Sequence, residues 1–222
     1  MHAERLDTTL APPKGGAPRS PGVHASNLIR GLAIETGKLK LDLGEAGMRS
    51  LSITEVADNT AWWNGLPSGA QLKISMGLAW ERWYLEQLDE TVVGHPGEME
   101  LDGVFLTHDG VSLDMVASEH PGGYKQVLAL HEIKLTYKSI NTVGDLTNQF
   151  LWLMQVKAYC RALGTRIAYL HILYVCGDYS HPLSPVLHVW RIEFDQGEID
   201  EAWMVLLNYR DHRLQQETER VQ

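Results

Sequence analysis

Apolar and polar positions alternate through VLALHEIKLTY (127–137), a period of two that predicts a strand whose side chains point to opposite faces in turn. The earlier stretch EMELDGVFLTHDGVSLDMV (98–116) predicts a hairpin, with His108-Asp109-Gly110 as its turn and Asp102 on the first arm. Apolar residues at helical spacing predict a helix in ISMGLAWERWYLEQL (74–88). A second helix is predicted in LTNQFLWLMQVKAYCRALGT (146–165), stopping at Gly164. Nearer the start, Ser26 is the expected cap of a helix in NLIRGLAIETGKL (27–39), with Gly37 as its stop. IAYLHILYV (167–175) and VLHVWRIEF (186–194) read as two strands joined by a Pro-containing loop, before a last helix from about Glu198 to Arg213. The stretch from Leu41 to Leu66 fits a short helix, followed by a Trp-rich turn ending at Pro67.

Helices and strands in this order predict one α/β domain over residues 25–214, a central mixed sheet flanked by helices. Its first three strands would form a meander, followed by a helical crossover and further strands. Residues 1–24 are rich in Pro, Gly and small polar residues and read as a flexible arm, and 215–222 as a frayed tail. At 222 residues the chain is long enough for one well-cored domain. It has no apolar run of the length a membrane span needs and no signal-like apolar stretch at its start, so a cytoplasmic setting is expected. Cys160 and Cys176 point the same way, as packing residues of a reducing compartment.

The period of two puts Glu132 and Lys134 on one face of their strand. Alone, an E-x-K of this kind is ordinarily a solvated ion pair. Its company changes the reading. Glu81 lies among Leu78, Trp80, Trp83 and Tyr84, where a carboxylate is costly unless something compensates, though the face of an amphipathic helix is the plainer explanation. Gln155 and Tyr159, four apart, share one helix face, and Lys157 and Arg161 form a basic stripe beside them. Two acids and a lysine converging from adjacent strands suit a hard divalent cation beside an activated water.

Taken in order, Gly77-x-x-x-Glu81, Asp102-Gly103, Glu132-Ile133-Lys134 and Gln155-x-x-x-Tyr159 run over helix, strand, strand, helix. That series resembles the PD-(D/E)XK nuclease superfamily with its restriction-endonuclease-like core, particularly the RecB-like and lambda-exonuclease-like branches. The resemblance covers residues 75–175. Leu101 stands where the name has Pro, and Glu81 where many RecB-like members have His. The resemblance implies Mg²⁺ or Mn²⁺ held by Asp102, Glu132, the Ile133 backbone carbonyl and Glu81. Lys134 would orient or deprotonate the attacking water, a base role that a lowered pKa would permit. Gln155 and Tyr159 would bind phosphate or orient the carboxylates. Two cysteines cannot supply the four ligands of the iron–sulfur cluster some relatives carry. The implied protein is a metal-dependent deoxyribonuclease, an exonuclease by preference, acting in recombination, repair or phage DNA processing, in a bacterial or phage-infected cell. A homo-oligomer and a single-strand annealing protein are expected partners. Two rivals stay open: a structure-specific or restriction-type endonuclease with the same site, and a silent interaction module on the same fold.

Net charge is −9, which opposes general coating of a polyanion. Ten acids fall between 81 and 119, against Arg82 alone. By contrast Lys125, Lys134, Lys138, Lys157, Arg161 and Arg166 face only Glu132 and Asp145 over 125–166, which predicts a local basic track. Trp62 and Trp63 could stack bases, with core or subunit packing the plainer reading. None of the ten histidines forms a tight zinc pair. His131 is expected on the face opposite Glu132 as a packing residue, and His95 and His120 in solvated loops. There is no phosphate loop, serine-hydrolase elbow or dinucleotide fingerprint.

Overall fold

A computed structural model describes residues 20–39, 54–55, 68–118, 120, 122–143, 145–177 and 185–221. The arm up to residue 19 and the Trp62-Trp63 turn lie outside them. The first elements are β1 (Gly22–His24), α1 (Ala25–Glu35), β2 (Thr54–Glu55), α2 (Ser68–Leu85), β3 (Val93–Gly94), β4 (Glu98–Leu101) and β5 (Val104–Thr107). There follow β6 (Gly110–Ala117), β7 (Tyr124–Thr136), α3 (Ile140–Val143), a 3₁₀ turn (Leu146–Asn148), α4 (Phe150–Leu163), β8 (Ile167–Tyr174), β9 (Val186–Glu193) and α5 (Gln196–Val221).

The strands build two mixed sheets flanked by helices, ordered β3-β6-β7-β8-β9 and β2-β1-β5-β4. β7 lies in the middle of the larger one, antiparallel to β6 and parallel to β8. A parallel neighbour needs a crossover, and α4 supplies it. The helix ends on Gly164, whose left-handed φ of 65° lets the following backbone turn back onto the last carbonyls. One side of the larger sheet packs Leu130, Leu170 and Ile172 against Met154, Val156 and Cys160 of α4, and Trp203 and Leu206 of α5 complete the same core.

Three local differences from the expected layout follow from backbone chemistry. The hairpin turn is Asp102-Gly103, both with positive φ (52° and 74°), as a two-residue turn between twisted strands requires. His108-Asp109 is instead where the chain leaves the small sheet at β5 and enters the large one at β6. Residues 22–24, expected in the arm, are drawn into a strand by pairing with β5, Val23 opposite Val104 and His24 opposite Phe105. α1 then starts directly at Ala25, so Ser26 lies inside it and the cap position is His24. The last helix is longer than expected, running to Val221, because nothing after Arg213 breaks it and Gln215 bonds Glu219 one turn on.

Candidate functional site

Glu132 sits in the most buried stretch of β7, only 1% exposed, on the face shared with Leu130 and α4. A lone carboxylate there would be costly. Lys134, two residues on and therefore on the same face, donates a charge-assisted hydrogen bond to Glu132 Oε1. Glu132 Oε2 is buried with no hydrogen-bond partner.

Asp109 supplies the second acid. β6 begins at Gly110, opposite His131, so the Ile133 N–H further along β7 has no β6 residue to meet. The Asp109 carboxylate takes that place, accepting the Ile133 N–H through Oδ2 at 2.7 Å. A strand residue presents its N–H and C=O to the same side, so the Ile133 carbonyl is directed to the Asp109 side as well.

Glu81, on α2, is the third. Its carboxylate lies 3.6 Å from the His95 ring, and the His95 backbone N–H donates to the Asp109 carbonyl at 2.8 Å. His95 is the exposed loop residue expected, and its ring and backbone N–H also meet two of the acids. Its φ of 48° is unusual for a non-glycine residue.

Asp102 stands elsewhere. From its turn it accepts the Trp203 indole N–H at 2.8 Å, and its carbonyl accepts from Arg210, both on α5. It is not among the charges that act on Glu81, Asp109, Glu132 or Lys134. The structure thus brings Glu81, Glu132 and Lys134 together with Asp109, and not with Asp102. A second Asp-Gly pair was the available signal for Asp109.

Gln155 and Tyr159 do share a face of α4, where the Gln155 amide donates to the Tyr159 hydroxyl at 2.9 Å. The Tyr159 ring packs 6.3 Å from that of His108, the residue before Asp109, which places this pair on the core side of the site. Burial holds His108 below the ordinary histidine range. The basic stripe on the same helix is occupied. Lys157 pairs with Glu198 at 3.3 Å and Arg161 with Asp200 at 3.1 Å, so both charges are turned to α5. Arg166 likewise lies 3.6 Å from Glu193.

Burial raises the pKa of all three acids around Lys134. Burial, then the nearby Asp109 charge, pushes Glu132 up to about 8 against the pull of Lys134. The same two causes push Glu81 up to about 7. Burial raises Asp109 too, opposed by Lys134, the Ile133 N–H and His95. Burial alone would lower Lys134, but the three carboxylates outweigh it and hold it above the usual lysine value. The carboxylates thus favour the ammonium form of Lys134.

The donor types are those a hard divalent cation prefers. The set offers carboxylate oxygens on three elements, an excess of negative charge and an unpartnered buried oxygen on Glu132. Among the described residues, no three or more His, Cys, Asp or Glu side chains form a cage that could hold a metal ion. Mg²⁺, which keeps several waters and takes one or two carboxylates, does not need such a cage.

No protein-family model and no curated protein matches the chain. Solved structures similar to it include an alkaline exonuclease from Laribacter hongkongensis, at 13% identity and a TM-score of 0.47, covering 90% of this chain and 95% of that one. The same exonuclease in complex with dAMP gives 13% identity and a TM-score of 0.45 over the same shares. Among the described residues, no helix is long and apolar enough to cross a membrane.

Proposed function

We propose that this chain is a metal-dependent nuclease that hydrolyses DNA phosphodiester bonds, with Glu81, Asp109 and Glu132 as carboxylate ligands and Lys134 as the ammonium beside them. The observation that carries the reading is the fully buried Glu132 carboxylate. One of its oxygens is bonded to Lys134 and the other is unpartnered, with two further acids acting on it. A structural ion pair does not need three acids for one lysine. A phosphate-handling site does, if a divalent cation makes up the charge.

Asp109 replaces Asp102 in this proposal. The Ile133 carbonyl remains a candidate ligand, since it faces the same side as the N–H that Asp109 holds. Mg²⁺ or Mn²⁺ bound there would supply Lewis acidity toward the phosphate and a water of lowered pKa. The chain's own part is positional and electrostatic. Lys134, fixed by Glu132, has further N–H donors to orient the attacking water and meet charge building on the phosphate. Gln155 and Tyr159 orient the carboxylates or the phosphate from the α4 side. Water adds across the P–O3′ bond, leaving a 5′-phosphate and a 3′-hydroxyl. With Lys157, Arg161 and Arg166 already paired, DNA binding is modest and strongly salt-dependent.

The proposed setting is DNA recombination, repair or phage DNA processing in the cytoplasm of a bacterial or infected cell. Exonuclease action is the finer proposal, with a homo-oligomer or a single-strand annealing protein as partner. Purified protein is incubated with linear and with closed-circular DNA, in Mg²⁺, in Mn²⁺ and in chelator, beside Glu132→Ala, Lys134→Ala and Asp109→Ala. Metal-dependent loss of linear DNA alone, absent in the variants, is the expected result. Nicking of circles would move the reading to an endonuclease. No cleavage of any nucleic acid in any metal would overturn it.

A further inference from the structure

A continuous chain of hydrogen bonds runs through the face of the large sheet opposite Glu132. Ser112 Oγ on β6 lies 2.9 Å from His131 Nε2, and His131 Nδ1 on β7 lies 3.0 Å from His171 Nε2. His171 Nδ1 on β8 in turn lies 3.1 Å from the Tyr84 hydroxyl on α2. Both imidazoles and Tyr84 are buried. Tyr169 stacks on His131 at 5.0 Å, and Trp80 on Tyr84 at 4.9 Å, so the rings have little room to turn.

A neutral imidazole has one donor and one acceptor, so every bond in the chain is satisfied when both rings point their N–H in the same direction along it. Removing either end hydroxyl leaves a buried ring nitrogen without its partner, which is the costly case for a polar network.

Members of the chain lie close in sequence to the three acids. Tyr84 is one helical turn from Glu81, His131 adjoins Glu132, and Ser112 is three residues beyond Asp109. α2, β7 and the start of β6 are therefore each held, within three residues of a candidate ligand, by one member of the chain.

We propose that Tyr84, His171, His131 and Ser112 act as positioning residues, a rear brace that sets the separation of Glu81, Glu132 and Asp109 and through it the affinity for the divalent cation. This rests on the metal reading above. The brace acts through backbone and helix placement and touches neither metal nor substrate. Partners behind metal ligands commonly change affinity by about 10–100-fold when lost.

The test is calorimetric titration of Mn²⁺ into the full chain at one pH, well below each protein's melting temperature. Tyr84→Phe and Ser112→Ala each remove one oxygen from opposite ends of the brace, so if one fails to fold the other still decides. Thr165→Val, which removes a hydroxyl bonded to the Leu128 carbonyl away from the brace, controls for loss of stability alone. The expected result is a Kd for Mn²⁺ about 10-fold weaker in both brace variants and unchanged in the control. Brace variants within twofold of the wild type, even with lower melting temperatures, would overturn the inference and leave the metal reading intact. A wild-type chain that binds no Mn²⁺ would overturn the metal reading itself, and the brace with it.

Discussion

Asp109 reaches past the start of β6 to accept the Ile133 backbone N–H at 2.7 Å, fixing an acid to the residue that separates Glu132 from Lys134. The other Asp-Gly acid, Asp102, spends its carboxylate on Trp203. The two aspartates therefore have separable jobs. Asp109→Ala should lower metal-dependent cleavage by about 100-fold or more. Asp102→Ala should leave the rate within about twofold and lower stability by about 1 kcal/mol, the worth of its lost hydrogen bond. Cleavage assays beside urea denaturation check both, and a reversed pattern would return Asp102 to the site.

Stability of the chelated protein should depend on pH in a particular window. Glu132 and Glu81, pushed up to about 8 and about 7, hold protons that the unfolded chain has released above about pH 4.5. His131 and His171, pushed down to about 4 by burial, lack protons that the unfolded chain keeps up to about pH 6.5. Between those limits the two effects oppose each other. Above about pH 6.5 only the acids remain, and a folded state that binds more protons than the unfolded one loses stability as pH rises. For one proton the slope is at most about 1.4 kcal/mol per pH unit, a fall of about 3–5 °C in Tm per unit. Scanning calorimetry from pH 6.5 to 8 should show that fall in chelator and a smaller one in saturating Mn²⁺. A flat profile in chelator would contradict the placement of the acids.

Glu132→Gln should separate stability from activity. The amide keeps the shape and an acceptor for Lys134 while removing a buried charge. The variant should be as stable as the wild type or more so at pH 8 in chelator, and inactive. Lower stability under those conditions would mean that the ion pair with Lys134 contributes more than the burial of the charge costs.

Cys160 is fully buried in α4 and its thiol is pushed up to about 12 by that burial, so it should be inert in the folded protein. Ellman's reagent at neutral pH should label one thiol at most, Cys176, until denaturant is added. Two fast equivalents would show that the α4 core opens readily.

Gly31 packs so closely on α5 that a Cβ there would lie 2.4 Å from the Tyr209 hydroxyl. Gly31→Ala should cost about 1–3 kcal/mol. The cost should shrink in a Tyr209→Phe background, which a double-mutant cycle by chemical denaturation measures.

Periodicity was a sound guide wherever one face of an element is buried. The β7 strand, the α4 helix with its Gly164 stop, and the β8–β9 pair all lie where their apolar patterns predict. It also set Glu132 beside Lys134 correctly. It could not rank two Asp-Gly pairs seven residues apart between apolar runs, because both are turn-compatible and the difference is tertiary. One pair closes a hairpin within the small sheet, and the other lets the chain change sheets. The ion pairs of Lys157 and Arg161 were equally invisible, since their partners lie some forty residues away on α5. His95 and the Ser112–Tyr84 chain depend on side chains meeting across strands, and no local spacing encodes that.

β7 pairs with β6 only as far as His131, so among the described residues Glu132 through Thr136 have strand contacts with β8 alone. The β6–β7 hairpin can form early from local contacts, but the half of β7 bearing the acid and the lysine stays an open strand end until α4 has crossed over and β8 has docked. A chain emerging from the ribosome should therefore complete its charged centre only once β8 has been made and docked.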